Sequence, residues 1–315
     1  MPPGCHTWSI CYLLPTQTHF AAKGFAERLR FKPYVIFILL WATLVYAPFA
    51  HLAWGGGLFA KWGVMDFAGG TVVHITSGWG ALGTILVLGK RHQEEGEEEK
   101  PHNVPFILLG TAILWFGWFG FNGGSALMAG PVAAVAYLNS QLSAASALWS
   151  WLLIDWLYKG KPSLVGACVG AVAGLVGITP CAGYVQPWSA LVIGVIVTIV
   201  CQVTCEVRRL FLAKWLDDAL DVWGTHGVGG LVGAILVGVL SDPSDCAPGA
   251  DSGLKAPAWC VSQLRVPLLG SGAQAGRCRL HLLRLQRGRD VPHPQSAGLL
   301  HGAEAQAPCR QGQHR

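Results

Sequence analysis

The sequence has little charge for its length. Of 315 residues, 12% are Asp, Glu, Lys or Arg, about half of the share found in soluble domains, while 52% are hydrophobic and the mean hydropathy is +0.43. Such a chain has too little polar surface to cover a water-soluble globule. The composition argues against a cytosolic enzyme, a nucleic-acid-binding protein and a secreted disulfide scaffold. It predicts an all-α polytopic bundle of transmembrane helices.

Motifs for metal binding and enzymatic chemistry are also scarce. The chain has 10 cysteines but no C-x-x-C pair, and Cys168, Cys201 and Cys205 lie within apolar runs, where cysteine packs as a small apolar residue. No neighbouring His or Cys completes a zinc site around Cys201 and Cys205. No Ser/His, paired-Asp or zinc motif of an enzyme is present either. We therefore predict neither an enzyme nor a cofactor or metal site.

Apolar stretches long enough to span, or nearly span, a bilayer follow one another through most of the chain. The seven stretches are 33–54, 66–89, 104–125, 129–157, 164–184, 188–206 and 221–240. They define a membrane domain over 23–240. Residues 1–22 show no clean span and stay unassigned, and the polar, Pro- and Gly-rich residues 241–315 are predicted to form a disordered basic tail.

The basic residues between the predicted spans fall almost entirely on one side. Successive connections between spans lie on opposite sides of the membrane, so they form two sets. One set holds a single basic residue, Lys61, and the other set holds twelve: Lys23, Arg28, Arg30, Lys32, Lys90, Arg91, Lys100, Lys159, Lys161, Arg208, Arg209 and Lys214. Because cytoplasmic loops are enriched in Lys and Arg, this asymmetry predicts that the first span begins in the cytoplasm and the seventh ends outside. The acidic run 94–99 then lies in a cytoplasmic loop.

Two histidines lie inside predicted spans, and each follows an aspartate by eight residues. Asp66 precedes His74, and Asp218 precedes His226. Eight helical residues rise about 12 Å, close to half of a roughly 30 Å bilayer core, so both imidazoles reach the midplane from opposite faces. This relation is typical of inverted-repeat transporters. The pair is interpreted as lining a pathway for a small polar molecule; structural histidines and a metal site, for which two ligands are poor, are the alternatives.

An acidic and aromatic set lies near the outer ends of the spans. Asp66 has two compatible interpretations, a helix cap and a carboxylate that attracts a cation. The aromatic residues of this set are Trp54, Trp118 and Phe121, and Ser125 follows the last of them. They fit either an aromatic belt at the membrane interface or a cation–π site in which the Ser125 hydroxyl replaces a lost water.

Four blocks of sequence resemble the ammonium transporter (Amt/Mep/Rh) family in composition, order and spacing, and the resemblance covers about 23–240. The blocks are Asp66-Phe-Ala-Gly-Gly-Thr-Val-Val-His74, Gly117-Trp-Phe-Gly-Phe-Asn122 followed by Ser125, Gly160-Lys-Pro-Ser163, and His226-Gly-Val-Gly.

The resemblance implies a fold and a mechanism. The family forms eleven-span trimers with one pore per subunit, built from two inverted five-span repeats. His74 and His226 resemble its twin pore histidines, and the resemblance assigns Trp54, Ser125, Phe121 and Asp66 to the recruitment and gating of ammonium at the outer mouth. Ammonium would lose a proton there, and ammonia would cross past the histidines. The implied partners are ammonium or ammonia, the lipid bilayer, and a homotrimer or a mixed trimer with full-length subunits, in the plasma membrane and without nucleic acid.

The seven spans correspond to the fourth to tenth of the family's eleven. The first three and the last lack counterparts, so His74 is expected to face lipid or an unlined gap, and the chain alone is expected to be unstable or inactive. A non-conducting truncated subunit and an ammonium sensor are the alternative functions.

The charge asymmetry yields a test of topology. The loop at 90–103 is expected to be cytoplasmic and the turn near 181–187 external, because twelve of the thirteen inter-span basic residues fall on one side. Accessibility of cysteines introduced into both loops measures this. Labelling of residues 94–99 from outside intact cells would contradict the assignment.

Overall fold

The described residues form a series of helices joined by short connections. A computed structural model of the chain describes residues 28–91 and 101–241. The α-helices are α1 Phe31–Trp41, α2 Ala47–Trp54, α3 Leu58–Lys61, α4 Thr76–Leu88, α5 Val104–Gly124, α6 Pro131–Lys159, α7 Leu164–Ile178, α8 Pro187–Val207 and α9 Gly229–Leu240. Four π-helical turns adjoin them: π1 Ala42–Tyr46, π2 Gly70–Ile75, π3 Arg208–Leu212 and π4 Trp223–Val228. The expectations for residues 1–22, 92–100 and 242–315 lie outside the described residues.

All seven predicted stretches contain helix, and five helical segments of the described residues are long and apolar enough to cross a membrane. The other two stretches are α6 and α7. Helix α6 has 29 residues but is less apolar, because it buries Asn139, Ser140 and Ser143 against its neighbours. Helix α7 ends at Ile178, short of the predicted 184, because Pro180 has no backbone N–H with which to continue the helical hydrogen bonds.

Small residues bring the helices of the bundle close together. Helix α7 packs against α6 through Gly170 and Gly174: a Cβ atom at Gly170 would lie 2.6 Å from the Cβ of Trp151, and one at Gly174 would lie 2.5 Å from the carbonyl oxygen of Ser143. Helix α4 meets π4 in the same way, since a Cβ at Gly78 would collide with the backbone of Gly227. In lipid, such backbone contact supplies packing that the hydrophobic effect does not.

Cysteines fill space in the same interior. Cys168, Cys181, Cys201 and Cys205 are buried free thiols. Cys201 and Cys205 pack against the region of His226, because Cβ atoms built at Gly229 and Gly224 would meet their sulfur atoms at 3.1 and 2.8 Å. The expectation that these cysteines act as small packing residues is confirmed for the described thiols.

Ion pairs join the helix ends on the side predicted to be cytoplasmic. The Arg91 guanidinium donates to the Asp217 carboxylate at 2.8 Å, and Arg28 lies 3.6 Å from the same carboxylate. Burial by itself raises the pKa of Asp217, but the hydrogen bonds from Arg91 outweigh it and hold this pKa below its ordinary value. The pair therefore connects the end of α4 to the loop that precedes π4.

The contact between Gly78 and Gly227 predicts a sharp difference between two glycines of one helix. Gly78→Ala is expected to destabilise the protein by about 1–3 kcal/mol, because the added methyl group would overlap the π4 backbone. Gly83→Ala is the control: it lies on the same helix with open space around it, and it is expected to be neutral or stabilising by up to about 1 kcal/mol. Thermal unfolding in detergent measures both, and equal melting temperatures would contradict the close packing.

Candidate functional site

The site begins with the carboxylate of Asp66, which caps the helical segment that carries His74. Its two oxygens accept hydrogen bonds from the backbone amides of Gly69, Gly70, Thr71 and Val72 at 2.5–3.1 Å. Free amides at a helix start need such an acceptor, and the helix dipole favours a negative charge there. The capping interpretation of Asp66 is thus confirmed by geometry, while its attraction of a cation stays a prediction.

Asp218 does the same for the segment that carries His226. Its carboxylate accepts from the amides of Val222 and Trp223 at 3.0 and 2.8 Å. The two histidine segments also share a local distortion, because His74 lies in π2 and His226 in π4. Single π-helical turns of this kind occur frequently at functional sites, since the extra residue redirects side chains.

The two capped segments bring the histidines into contact. The Nδ1 atoms of His74 and His226 are 3.4 Å apart, and both side chains are buried. The His74 ring also stacks on Trp118 with a centroid separation of 5.3 Å and on Phe121 at 6.1 Å. The expectation that His74 would face lipid or an unlined gap is wrong: its exposure is 0%, because rings from α5 and π4 pack against it.

Thr179 determines which nitrogen of His74 carries a proton. Its hydroxyl donates to the carbonyl of Leu175 at 2.7 Å, and that carbonyl is available because the Thr179 amide bonds Val176 instead. The hydroxyl oxygen accepts the Trp118 Nε1–H at 3.1 Å and lies 3.2 Å from His74 Nε2. With its single proton already used, the hydroxyl can only accept from His74 Nε2.

The hydrogen bond between the two histidines then has a direction. A neutral His74 protonated at Nε2 has a lone pair at Nδ1, so His226 must donate its Nδ1 proton to it. Thr179 thus sets the direction of both hydrogen bonds, the one from His74 to Thr179 and the one from His226 to His74. Neither bond involves a charged side chain. Such a pair can hold and orient a small molecule that both donates and accepts hydrogen bonds.

The remaining predicted site residues surround this pair in different ways. Trp54 packs on the same hydrophobic cluster as Phe121, and its Nε1 donates to the backbone carbonyl of Asp66 at 2.8 Å. Trp54 therefore ties α2 to the Asp66 cap. The Ser125 hydroxyl donates to the carbonyl of Phe121 at 2.8 Å, so Ser125 closes the end of its own helix.

Sequence reasoning missed Thr179, and it considered Trp118 only for an aromatic belt or a cation–π site, not for its contacts with His74 and Thr179. The available signal was the Thr179-Pro180 pair at the end of an apolar run, because Pro180 lacks the N–H that would continue the helix and leaves a hydroxyl residue at its buried end. Within residues 28–91 and 101–241, no group of three or more His, Cys, Asp or Glu side chains is placed to hold a metal ion.

These features define a polytopic α-helical membrane protein of the inverted-repeat transporter class, with a buried histidine pair between two capped helical segments. Residues 14–273 match the model of the Ammonium Transporter Family, beyond both ends of the stretch where the sequence blocks resemble it. The chain belongs to this family, which is one of transporters and not of enzymes.

Relatives and solved structures agree with this assignment. The chain is 49% identical to the ammonium transporter Amt1 of Archaeoglobus fulgidus over 221 residues, which cover 70% of this chain and 56% of the relative. It matches the crystal structure of Candida albicans Mep2 with a TM-score of 0.70 at 35% identity, covering 86% of this chain and 63% of that one. A sensor Amt protein matches with a TM-score of 0.70 at 30% identity, over 88% of this chain and 70% of that one. The chain spans about half the length of the curated relatives that it matches.

The role of Thr179 is testable by removing only its hydroxyl. Thr179→Val is expected to destabilise the protein by about 1–3 kcal/mol, because it removes the hydroxyl oxygen that accepts hydrogen bonds from the buried Trp118 and His74 side chains. It is also expected to change the ¹⁵N resonances of His74, since Nε2 protonation is no longer enforced. Thr179→Ser restores the hydroxyl and is the control. An unchanged His74 spectrum in the valine variant would contradict this proton assignment.

Proposed function

We propose that the chain moves ammonium nitrogen across a membrane and that His74 and His226 line the pathway. The observation that carries this proposal is the contact of the two imidazoles, 3.4 Å apart at Nδ1, in a buried aromatic surrounding. Membership of the family supports it. Buried ionisable side chains at membrane depth are costly and normally mark such pathways.

The chemistry of the surroundings favours ammonia over ammonium at this depth. A cation loses its hydration when it enters a narrow apolar passage, and nothing in a ring of Trp118, Phe121 and neutral histidines replaces that water fully. Ammonia is neutral, accepts a hydrogen bond at its lone pair and donates through its N–H groups. We therefore place the loss of the proton before the histidine pair, with the proton leaving by a separate route.

Recruitment at the outer mouth is the second part of the proposal. The aromatic faces of Trp54 and Phe121 can attract a cation, and the Asp66 carboxylate adds negative potential beneath them. The hydrogen bond from Trp54 to Asp66 holds the indole beside the capped turn. Ser125 would supply the hydroxyl that replaces a lost water, once its bond to Phe121 exchanges for one to the substrate.

Assembly and location follow from the same family likeness as proposals. We propose that the chain assembles as a homotrimer, or as a mixed trimer with full-length subunits, in the plasma membrane. A sensing role is the alternative function, favoured by the likeness to the sensor Amt protein. A non-conducting subunit in a mixed trimer remains the other alternative.

Uptake of methylammonium tests the role of the histidines. In a chimera that completes the chain with spans of a full-length relative, His74→Ala is expected to lower uptake per molecule by roughly tenfold or more, because a buried hydrogen-bonding group of the pathway is lost. Radiolabelled uptake normalised to surface expression is the measurement. His51→Ala, on an exposed face of α2, is the control and is expected to transport normally.

The outcome separates the candidate functions. Loss of expression with unchanged transport per molecule would make His74 a structural residue. A completed chimera that binds methylammonium but takes none up would favour the sensing function.

A further inference from the structure

The residue that precedes the second histidine segment has an unfavourable backbone conformation. Asp221 has φ +51°, and it and Leu127 are the non-glycine residues with positive φ in the described ranges. In the other half of the molecule, the corresponding position three residues after the capping aspartate is Gly69, with φ +110°. Glycine adopts the left-handed region freely, whereas a residue with a Cβ atom is penalised there. The two positions therefore share a positive φ, but only Gly69 is a residue that adopts it without a steric penalty.

Two arginines hold the side chain of Asp221. The Arg208 Nη2 donates to Asp221 Oδ1 at 2.9 Å, and the Arg209 Nη2 donates to Oδ2 at 3.0 Å. Arg208 is 7% exposed and also donates to the carbonyl of Leu216 at 3.4 Å. Each carboxylate oxygen thus has its own guanidinium, which is a strong and geometrically specific arrangement. We call Arg208, Arg209 and Asp221 the arginine clamp.

The backbone of Asp221 leads directly to His226. Its carbonyl accepts from the Thr225 amide at 2.9 Å and from the Thr225 hydroxyl at 2.6 Å. Thr225 is buried and is the residue before His226 in π4. A change of φ at Asp221 would turn this carbonyl away and release the first turn of the segment.

A chain of ion pairs extends the clamp to a neighbouring helix. Arg209 also pairs with Glu206 at 3.2 Å, and the Lys159 ammonium lies 2.8 Å from Glu206 and 3.0 Å from the buried carboxylate of Asp155. Burial alone would lower the pKa of Lys159, but its bonds to Glu206 and Asp155 raise it above the ordinary value. The long helix α6 is therefore linked through α8 to the start of π4.

We propose that the arginine clamp is a positioning device for His226: Arg208 and Arg209 hold Asp221 in the left-handed conformation that Gly69 adopts without help, and so fix the turn from which His226 projects. This inference rests on the proposed pathway role of His226. Asp221 is accordingly a positioning residue, which acts through the Thr225 hydrogen bonds and not by contact with substrate.

Backbone hydrogen exchange of the unmodified 315-residue chain in lipid nanodiscs tests the clamp without any need for transport. Asp221→Ala and the double variant Arg208→Gln/Arg209→Gln are expected to speed exchange at residues 222–228 by roughly five- to thirtyfold. This factor corresponds to the cost of about 1–2 kcal/mol for a residue with a Cβ atom in the left-handed conformation. Asp221→Gly is expected to exchange like the wild type, since glycine needs no clamp. Adding Asp221→Gly to the double arginine variant is expected to restore protection.

The control is Asp217→Ala, which removes a neighbouring ion pair of similar burial from a residue without positive φ. It is expected to leave exchange at 222–228 within about twofold of the wild type. Equal exchange in the alanine variant and the wild type would overturn the proposal. So would a glycine variant as unprotected as the alanine variant, because the charge and not the conformation would then matter.

Uptake by the completed chimera provides a second readout. Asp221→Ala is expected to lower kcat with KM unchanged, because the clamp lies at the end of the pathway away from the recruitment residues, and Asp221→Gly is expected to recover kcat. A raised KM with unchanged kcat would overturn the proposal. If His226→Ala transports normally, the proposed function fails, while the exchange data still decide whether the clamp holds π4.

Discussion

The arrangement of the site depends on two buried carboxylates that accept backbone amides. Asp66 and Asp218 allow helical segments to begin inside the bundle, where unpaired amides would otherwise be costly. Because each histidine lies eight residues after its carboxylate, the caps also set the depth at which the two rings meet. The Nδ1 contact of 3.4 Å between His74 and His226 joins the two helical segments that these carboxylates cap.

The order within the histidine pair comes from outside it. The Thr179 hydroxyl, at the end of α7, donates its only hydrogen bond to the carbonyl of Leu175 and therefore accepts one from His74 Nε2. Trp118 donates to the same oxygen and stacks on the His74 ring, so one hydroxyl fixes both side chains. A pair with a defined hydrogen-bond direction and aromatic walls suits a neutral molecule that donates and accepts hydrogen bonds, as we propose for ammonia.

The two halves of the bundle reach the same local geometry by different means. Gly69 takes the left-handed turn before π2 because it has no Cβ atom, and Asp221 takes it before π4 with two arginines on its carboxylate. The half with Asp221 is thereby connected to the charged helix ends at Lys159 and Glu206. The two segments thus share a positive φ three residues after the capping aspartate, while the side chains that support this turn differ.

Much of this architecture could be predicted from local pattern. The apolar runs predicted a helix in each of the seven stretches, since helix formation in lipid depends on length and hydropathy. The eight-residue spacing predicted that His74 and His226 lie at a similar depth, but not that they are in contact. The four sequence blocks predicted the family.

Other features were decided only by tertiary contact, because they depend on residues far apart in the chain. Thr179 lies 105 positions from His74, and the sequence around either residue does not predict the hydrogen bond between them. The burial of His74 was mispredicted for the same reason, since it comes from Trp118, Phe121 and His226 on other elements. Sequence by itself determined where helices run and which polar groups they carry into the membrane. Tertiary structure decided which of those groups pair, since a buried hydrogen bond is chosen by the partners that packing brings within reach.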